Sequence, residues 1–258
     1  MPYKVKTVSE FLKTVSDIQN EWTGLANDEL IFPWFRGHAN SSYLLTPGLY
    51  RASIDPDNEY SYRSDFMLKA LPFLSDTTFI NPSSDWDWYF LMQHYGLPTR
   101  LLDWSEGSLI ALYFALFYKR EDDEENPCVW MLHPFEFNRC LHKRDEILFY
   151  NHELVKPYIP ALYSGASLPK SPMAIQPSYN SKRIVVQKGC FTIHGDNKIS
   201  LEKIPALKNC LVKIEIEYYY IDLIKDELIM TGVTESSLFP ELGGLARELL
   251  QYWRQNSI

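Results

Sequence analysis

The chain has 258 residues, and 33 acidic against 25 basic side chains leave a formal net charge of −8. This balance disfavours broad binding of nucleic acid or of an anionic membrane surface, because both depend on an excess of basic groups. With 46% hydrophobic and 22% charged residues, the composition excludes a wholly disordered chain. The N-terminus is charged and the longest apolar run is too short to cross a bilayer, so we expect a cytoplasmic protein without membrane contact.

The first half of the chain is predicted to begin with a helix. Apolar residues at helical spacing indicate this helix over 7–23, and Thr7 with Glu10 forms a capping box at its start. The elements that follow are a strand at 31–36 ended by Gly37, a loop at 38–51, helices at 62–74 and 85–95, a strand at 100–104 and a helix over 105–119.

The second half is predicted to be richer in strands. Its elements are an acidic turn at 120–126, a strand at 128–133, a proline-rich loop at 157–182, strands at 183–189, 190–195 and 211–219, and helices within 219–254. Because strands and helices are mixed along the chain, we expect an α+β fold. The expected architecture is a single domain over 1–258, with a mixed or antiparallel sheet flanked by helices.

Arg36 is a candidate anion ligand, because it ends an apolar strand between Phe35 and Gly37. A guanidinium fixed in this way can donate two hydrogen bonds to one phosphate. The alternative is a structural arginine paired with a carboxylate such as Asp103.

The segment from His94 to Ser108 places several polar groups among apolar ones. Arg100 is a candidate for a second phosphate, and Asp103 for the same binding site. Ser105 is either a ligand contact or the N-cap of the helix that follows, and His94 is either a general acid/base or a cap of its own helix. Tyr43 and Tyr50 lie in the loop after Arg36, where their rings can stack on a base.

The sequence offers little support for metal or thiol chemistry. Cys128, His133, Cys140 and His142 lack a standard zinc spacing, so we expect no metal site. We expect Cys140, Cys190 and Cys210 to be core thiols and not nucleophiles. Glu215 and Glu217 share one face of a predicted strand, and strand alternation explains them as a solvent-facing stripe.

Four motifs occur in order along the chain. The first, at 34–51, begins with WFRGH, and the second, at 92–116, begins with MQHYGLPTRLLDW. The third is RIVVQKGCFTIHG at 183–195, and the fourth is GVTESSLFPELGGLA at 232–246. Together they resemble the FRG domain family, named after its Phe-Arg-Gly tripeptide. The resemblance implies a bacterial or viral protein that acts in host–phage conflict, as an antiviral-defence or toxin effector.

The same motifs have a more distant likeness to the ADP-ribosyltransferase superfamily. This likeness implies an NAD site in which Arg36 holds phosphate or ribose and Gln187 stands where the superfamily has a catalytic Glu. The stretch from Asp103 to Ser105, with Ala111 and Phe114, would shape the nicotinamide pocket. NAD would be a substrate and not a tightly bound cofactor. Since Gln is no general base, the likeness favours nucleotide binding over group transfer.

Two other functions stay open at this point. One is a non-catalytic module whose cleft recognises a phage or host component, with a protein as partner. The other is a nuclease, for which the acidic residues form no clear metal cluster. The proline-rich segment 157–182 is predicted to be either a lid over the cleft or a surface strap.

Overall fold

The computed structural model describes residues 3–25, 31–52, 55–74, 81, 83–119, 125–160, 165–179 and 181–255. Most of the predicted acidic turn at 120–126 lies outside these residues. In the described part, eight strands form one mixed sheet in the order β1-β8-β4-β2-β3-β7-β6-β5. The strands are β1 (Tyr3–Val5), β2 (Trp34–His38), β3 (Leu101–Ser105), β4 (Cys128–Leu132), β5 (Leu148–Phe149), β6 (Met173–Gln176), β7 (Gly189–Ile193) and β8 (Leu211–Ile216).

The helices flank this sheet and confirm the α+β class. They are α1 (Val8–Leu25), α2 (Gly48–Arg51), α3 (Glu59–Ala70), α4 (Asp85–His94), α5 (Ser108–Phe117), α6 (Pro134–His142), α7 (Lys182–Val186), α8 (Ile221–Met230), α9 (Glu235–Leu238) and α10 (Leu242–Gln255). Among the described helices, none is both long and apolar enough to cross a membrane.

Both faces of the central strands are covered. Along β4, Val129 and Met131 join a core with α1, α5 and α8, whereas Trp130 and Leu132 join a second core that includes Phe137 of α6. This explains why the sequence of β4 is apolar without alternation. A third core packs α4 against β3, β6 and β7. On one face of the sheet, α5 therefore covers β2, β4 and β8, whereas α4 covers β3, β6 and β7. The two helices lie on either side of the boundary between β2 and β3.

Strand β2 continues through Gly37 to His38, whereas the sequence predicted it to end before Gly37. A Cβ at Gly37 would lie 2.0 Å from the Ala111 carbonyl oxygen and 2.6 Å from the Ala115 nitrogen of α5. Glycine is therefore needed for contact between strand and helix, and the residue stays extended inside β2.

The predicted strand at 183–189 is wrong. Residues 182–186 form α7, which Ser181 caps by accepting a hydrogen bond from the Ile184 N–H. Lys188 then adopts a left-handed conformation with φ of 46°, and β7 begins at Gly189. The β-branched residues Val185 and Val186 predicted a strand, but the side-chain cap and the left-handed turn set a helix here.

The predicted cap at Ser105 is also wrong. Ser105 is the last residue of β3, and α5 begins later, with Gly107 at its N-cap. The Ser105 hydroxyl still satisfies a backbone N–H, that of Gly107 at 2.9 Å, and donates to the Gln187 carbonyl at 2.7 Å. It therefore joins two chain segments instead of starting the helix.

Candidate functional site

The sheet opens between its two central strands. β2 pairs with β4 through five residue pairs, but with β3 only through Phe35 and Ser105. A cavity of about 640 Å³ lies at this opening, next to α5 and the end of α4. Its lining residues are Phe35, Arg36, Gly37, His38, Ala39, Tyr43, Leu44, Arg51, Gln93, Gly96, Asp103, Trp104, Ser105, Ala111, Phe114, Tyr118, Arg183 and Gln187.

Arg36 reaches across the opening from β2 to β3. Its Nη1 donates to the Asp103 carbonyl oxygen at 2.7 Å and lies 3.6 Å from a carboxylate oxygen of the same residue. Its Nε donates to Nε2 of His38 at 3.0 Å. Burial lowers the pKa of Arg36 and Asp103 opposes that shift, yet an arginine remains charged at neutral pH. The guanidinium is thus a fixed positive charge in the wall of the cavity.

The Asp103 carboxylate is oriented from α4. Gln93 Nε2 donates to both carboxylate oxygens, at 2.9 and 2.8 Å, and Gln93 in turn accepts from the Thr99 hydroxyl. The Asp103 side chain is 56% exposed. Arg36 and Asp103 are therefore in contact, but the Asp103 carboxylate is exposed and not buried.

His38 and His94 occupy different environments. Burial, with a smaller contribution from Arg36, lowers the pKa of His38 to about 3, so this ring is neutral at physiological pH. His94 lines a small side cavity that also touches Asp103 and Gln187. Burial and the neighbouring Arg183 lower its pKa as well. A neutral His94 beside the main cavity can accept a proton, so its predicted acid/base role stays a prediction.

Gln187 meets Arg36 in the cavity although the two are far apart in sequence. It caps the C-terminus of α7, and its side-chain Nε2 donates to the Leu238 carbonyl at 3.0 Å. That bond fixes the amide and leaves its oxygen without a hydrogen-bond partner among the described residues. Five predicted site residues thus line one cavity: Arg36, Tyr43, Asp103, Ser105 and Gln187.

Arg100 lies outside the cavity. It is 2% exposed, and its guanidinium donates to Glu59 at 2.8 Å, to the His194 carbonyl at 2.8 Å and to the Tyr158 carbonyl. These bonds join α3, β3 and the segment after β7. Tyr50 also lies elsewhere, lining a neighbouring cavity with its hydroxyl bonded to the Gly195 carbonyl.

Two arginines of the cavity were not among the predicted site residues. Arg51 ends α2, is exposed, and has no hydrogen-bond or ion-pair partner in the described part of the chain. Arg183 in α7 lies over the Phe239 ring, 4.6 Å from its centre. Arg51 belongs to the motif at 34–51 and Arg183 to the motif at 183–195. Their position in the same cavity as Arg36 follows only from the tertiary structure. Among the described lining residues, three arginines face one carboxylate, that of Asp103.

The described part of the segment predicted as a lid or a strap lies away from this cavity. Within 157–182, Met173–Gln176 is β6, which pairs with β7 inside the sheet. The Tyr158 side chain is 1% exposed and its hydroxyl bonds the Ser171 carbonyl. None of the described residues in this segment lines the cavity, and residues 161–164 and 180 lie outside the description.

The thiols and the acidic stripe of β8 stand apart from the site. Burial raises the pKa of the Cys128 thiol to about 12, and that of Cys190 well above its usual value. Glu217 lies 3.7 Å from the Lys6 ammonium group at the sheet edge. In the described part, no group of three His, Cys, Asp or Glu residues has a metal-binding arrangement.

Comparison with known proteins supports the assignment of the first two motifs, at 34–51 and 92–116. No curated protein and no solved structure shows a significant match to the chain. One family model matches, that of the FRG domain, over residues 33–124. The matched region includes β2 with Arg36, α4 with Gln93 and β3 with Asp103, so it supplies much of the cavity wall. The chain therefore contains an FRG domain over residues 33–124.

Proposed function

We propose that the cavity between β2 and β3 binds NAD or a related nucleotide through its phosphates. The observation that carries this proposal is the charge of the cavity: Arg36, Arg51 and Arg183 face a single carboxylate in a chain with a net charge of −8. Guanidinium groups match the charge and the planar geometry of phosphate oxygens. A local excess of positive charge in an otherwise acidic protein favours a small anionic ligand over extended nucleic acid.

The size and apolar walls of the cavity agree with such a ligand. A volume of about 640 Å³ lies within the usual range for small-molecule sites. Aromatic side chains of β3, of α5 and of the residue that follows α5 border the arginines, which allows a base or nicotinamide ring to stack while the phosphates face the charges. These side chains are Trp104, Phe114 and Tyr118.

The site supports binding better than group transfer. An oxocarbenium-like transition state needs an available carboxylate, and Gln187 supplies an amide instead. Among the described lining residues, Asp103 has the only carboxylate, which Gln93 and Arg36 already engage. ADP-ribosyltransferase-like or NAD-consuming activity is the catalytic form of this proposal. The FRG domain motifs suggest a role in bacterial or phage conflict, in which the same cavity acts either as an effector site or as a sensor of a phage or host component.

A thermal-shift and calorimetry panel tests the proposal. NAD and ATP should raise the melting temperature of the wild-type chain, and adenosine, which lacks phosphate, should raise it less. Arg51→Gln and Arg183→Gln should each weaken NAD binding by about tenfold, the loss of one charge-assisted contact. Arg254→Gln, at the exposed end of α10, is the matched control. Equal behaviour of all variants, or no stabilisation by any nucleotide, would overturn the proposal.

Nicotinamide release separates the two forms of the proposed function. A chain that binds NAD and liberates no nicotinamide over hours is a binding module. Release that depends on Arg36 identifies an NAD-consuming enzyme, and Gln187→Ala then shows whether the amide at that position contributes to the reaction.

A further inference from the structure

A second cavity of about 680 Å³ adjoins the first. The two share Tyr43, Leu44 and Arg51. We call the second one the lysine cavity; its other lining residues are Ser42, Thr46, Tyr50, Lys198, Ile199, Ser200 and Lys203. Because the two cavities share these residues, ligand groups bound in each of them would lie next to one another.

The lysine cavity is positively charged. Arg51, Lys198 and Lys203 line it, and none of the three has a hydrogen-bond or ion-pair partner among the described residues. The described lining includes no carboxylate. Two acidic residues are close in sequence to the lysines: Glu202 accepts a hydrogen bond from the Leu45 N–H at 3.1 Å, and the charge of Asp196 contributes to raising the pKa of Tyr50. Neither is part of the lining. Three cations in a described lining that has no carboxylate repel one another, and a bound anion would relieve that repulsion.

Ser200 supplies an independent indication of a ligand. It is 4% exposed, it lines the lysine cavity, and its hydroxyl has no hydrogen-bond partner in the described structure. A buried hydroxyl without a partner costs free energy, so such groups normally have one. The hydroxyl oxygen itself is shielded from solvent, and rotation of the Ser200 side chain would let it donate to a phosphate oxygen in the cavity that this residue lines.

We propose that the lysine cavity is a second phosphate-binding subsite, which takes a phosphate monoester group beside the nucleotide of the first cavity. This inference rests on the proposed function only for the identity of that neighbouring nucleotide. The monoester has two sources: a third phosphate on the same dinucleotide, as in NADP, or a separate phosphorylated ligand bound next to NAD.

Calorimetric titrations with NAD, NADP and inorganic phosphate test the subsite. The test variant is the double substitution Lys198→Gln/Lys203→Gln, and the control is Lys13→Gln, an exposed lysine of α1 that lines neither cavity. If the monoester belongs to the same molecule, NADP binds the wild type about tenfold more tightly than NAD, and the double variant loses that gain while its NAD affinity is unchanged. If it belongs to a separate ligand, phosphate binds alone and alongside NAD, and the double variant weakens phosphate binding about tenfold.

Ser200→Ala adds a readout that does not depend on the lysines. Because it removes an unpaired hydroxyl, the free variant should melt at least as high as the wild type, while its affinity for the monoester falls. A clearly lower melting temperature would show that the hydroxyl is bonded within the protein, which would overturn its role.

The two proposals fail in different ways. If the double variant weakens neither phosphate binding nor the gain in affinity of NADP over NAD, the subsite is overturned even when NAD binds. Lysine-dependent phosphate binding without binding of any nucleotide overturns the proposed function and leaves the subsite standing.

Discussion

The Nε atom of Arg36 donates a hydrogen bond to Nε2 of His38 over 3.0 Å. Because this nitrogen accepts, the imidazole is neutral and carries its proton on Nδ1. A protonated His38 would place a second positive charge against the guanidinium in a buried setting. The pair therefore holds Arg36 in place, but only while His38 stays neutral.

Arg36→Ala should weaken ligand binding far more than it destabilises the fold. The exposed Asp103 keeps both hydrogen bonds from Gln93, so no buried charge is stranded. Only the His38 nitrogen and a carbonyl lose a partner, which costs about 1–3 kcal/mol of unfolding free energy. Denaturant unfolding and NAD titration of the same variant measure the two effects. An unfolding loss beyond about 3–5 kcal/mol, the cost of breaking a buried ion pair, would instead identify Arg36 as mainly structural.

Arg100→Ala, in contrast, should destabilise the fold strongly. Its guanidinium is buried with Glu59 and two backbone carbonyls, so its removal leaves a carboxylate that is largely buried without its partner. We expect a loss of about 3–5 kcal/mol of unfolding free energy, measured by denaturant unfolding. The double variant Arg100→Met/Glu59→Gln should recover part of that loss, since it removes both charges. Near-normal stability of Arg100→Ala would contradict the structural role of this residue.

Gly37→Ala should disrupt the packing of β2 on α5. The new methyl group would lie 2.0 Å from a backbone oxygen of α5, and a backbone atom has no rotamer by which to move away. We expect a loss of at least about 3 kcal/mol, at the upper end for overpacked cores. Gly24→Ala, in α1, has nothing within 4 Å of the new Cβ and should instead add up to about 1 kcal/mol. Thermal unfolding of both variants provides the comparison.

The unfolding free energy should decrease as the pH falls below about 6.5. Burial lowers the pKa of both His38 and His194 to about 3 in the folded chain. Between the unfolded value near 6.5 and about 3, the unfolded state binds more protons, so each histidine removes about 1.4 kcal/mol per pH unit. Urea unfolding between pH 7 and 5 should show this slope, and His38→Gln should reduce it. An unchanged slope in that variant would show that His38 already titrates normally when folded.

Local sequence patterns predicted most of the helices and strands. Helical spacing and the capping box predicted α1, the apolar run predicted α5, and strict alternation predicted β8. These predictions are correct because the burial of one or both faces of an element determines the spacing of its apolar residues along the sequence. The motifs also predicted that Arg36 and Gln187 share a cavity, and the structure brings them together.

Other features required the tertiary structure. Arg36 and Arg100 both sit among apolar residues in quoted motifs, but one lines the opening of the sheet and the other is buried against Glu59. Strand alternation assigns a residue to a face and cannot say where two strands separate. The sequence by itself therefore determined the α+β class and five of the residues that line the cavity: Arg36, Tyr43, Asp103, Ser105 and Gln187. Only the packing of β2, β3 and α5 decided which charges meet there, because those contacts join residues with no periodic relation along the chain.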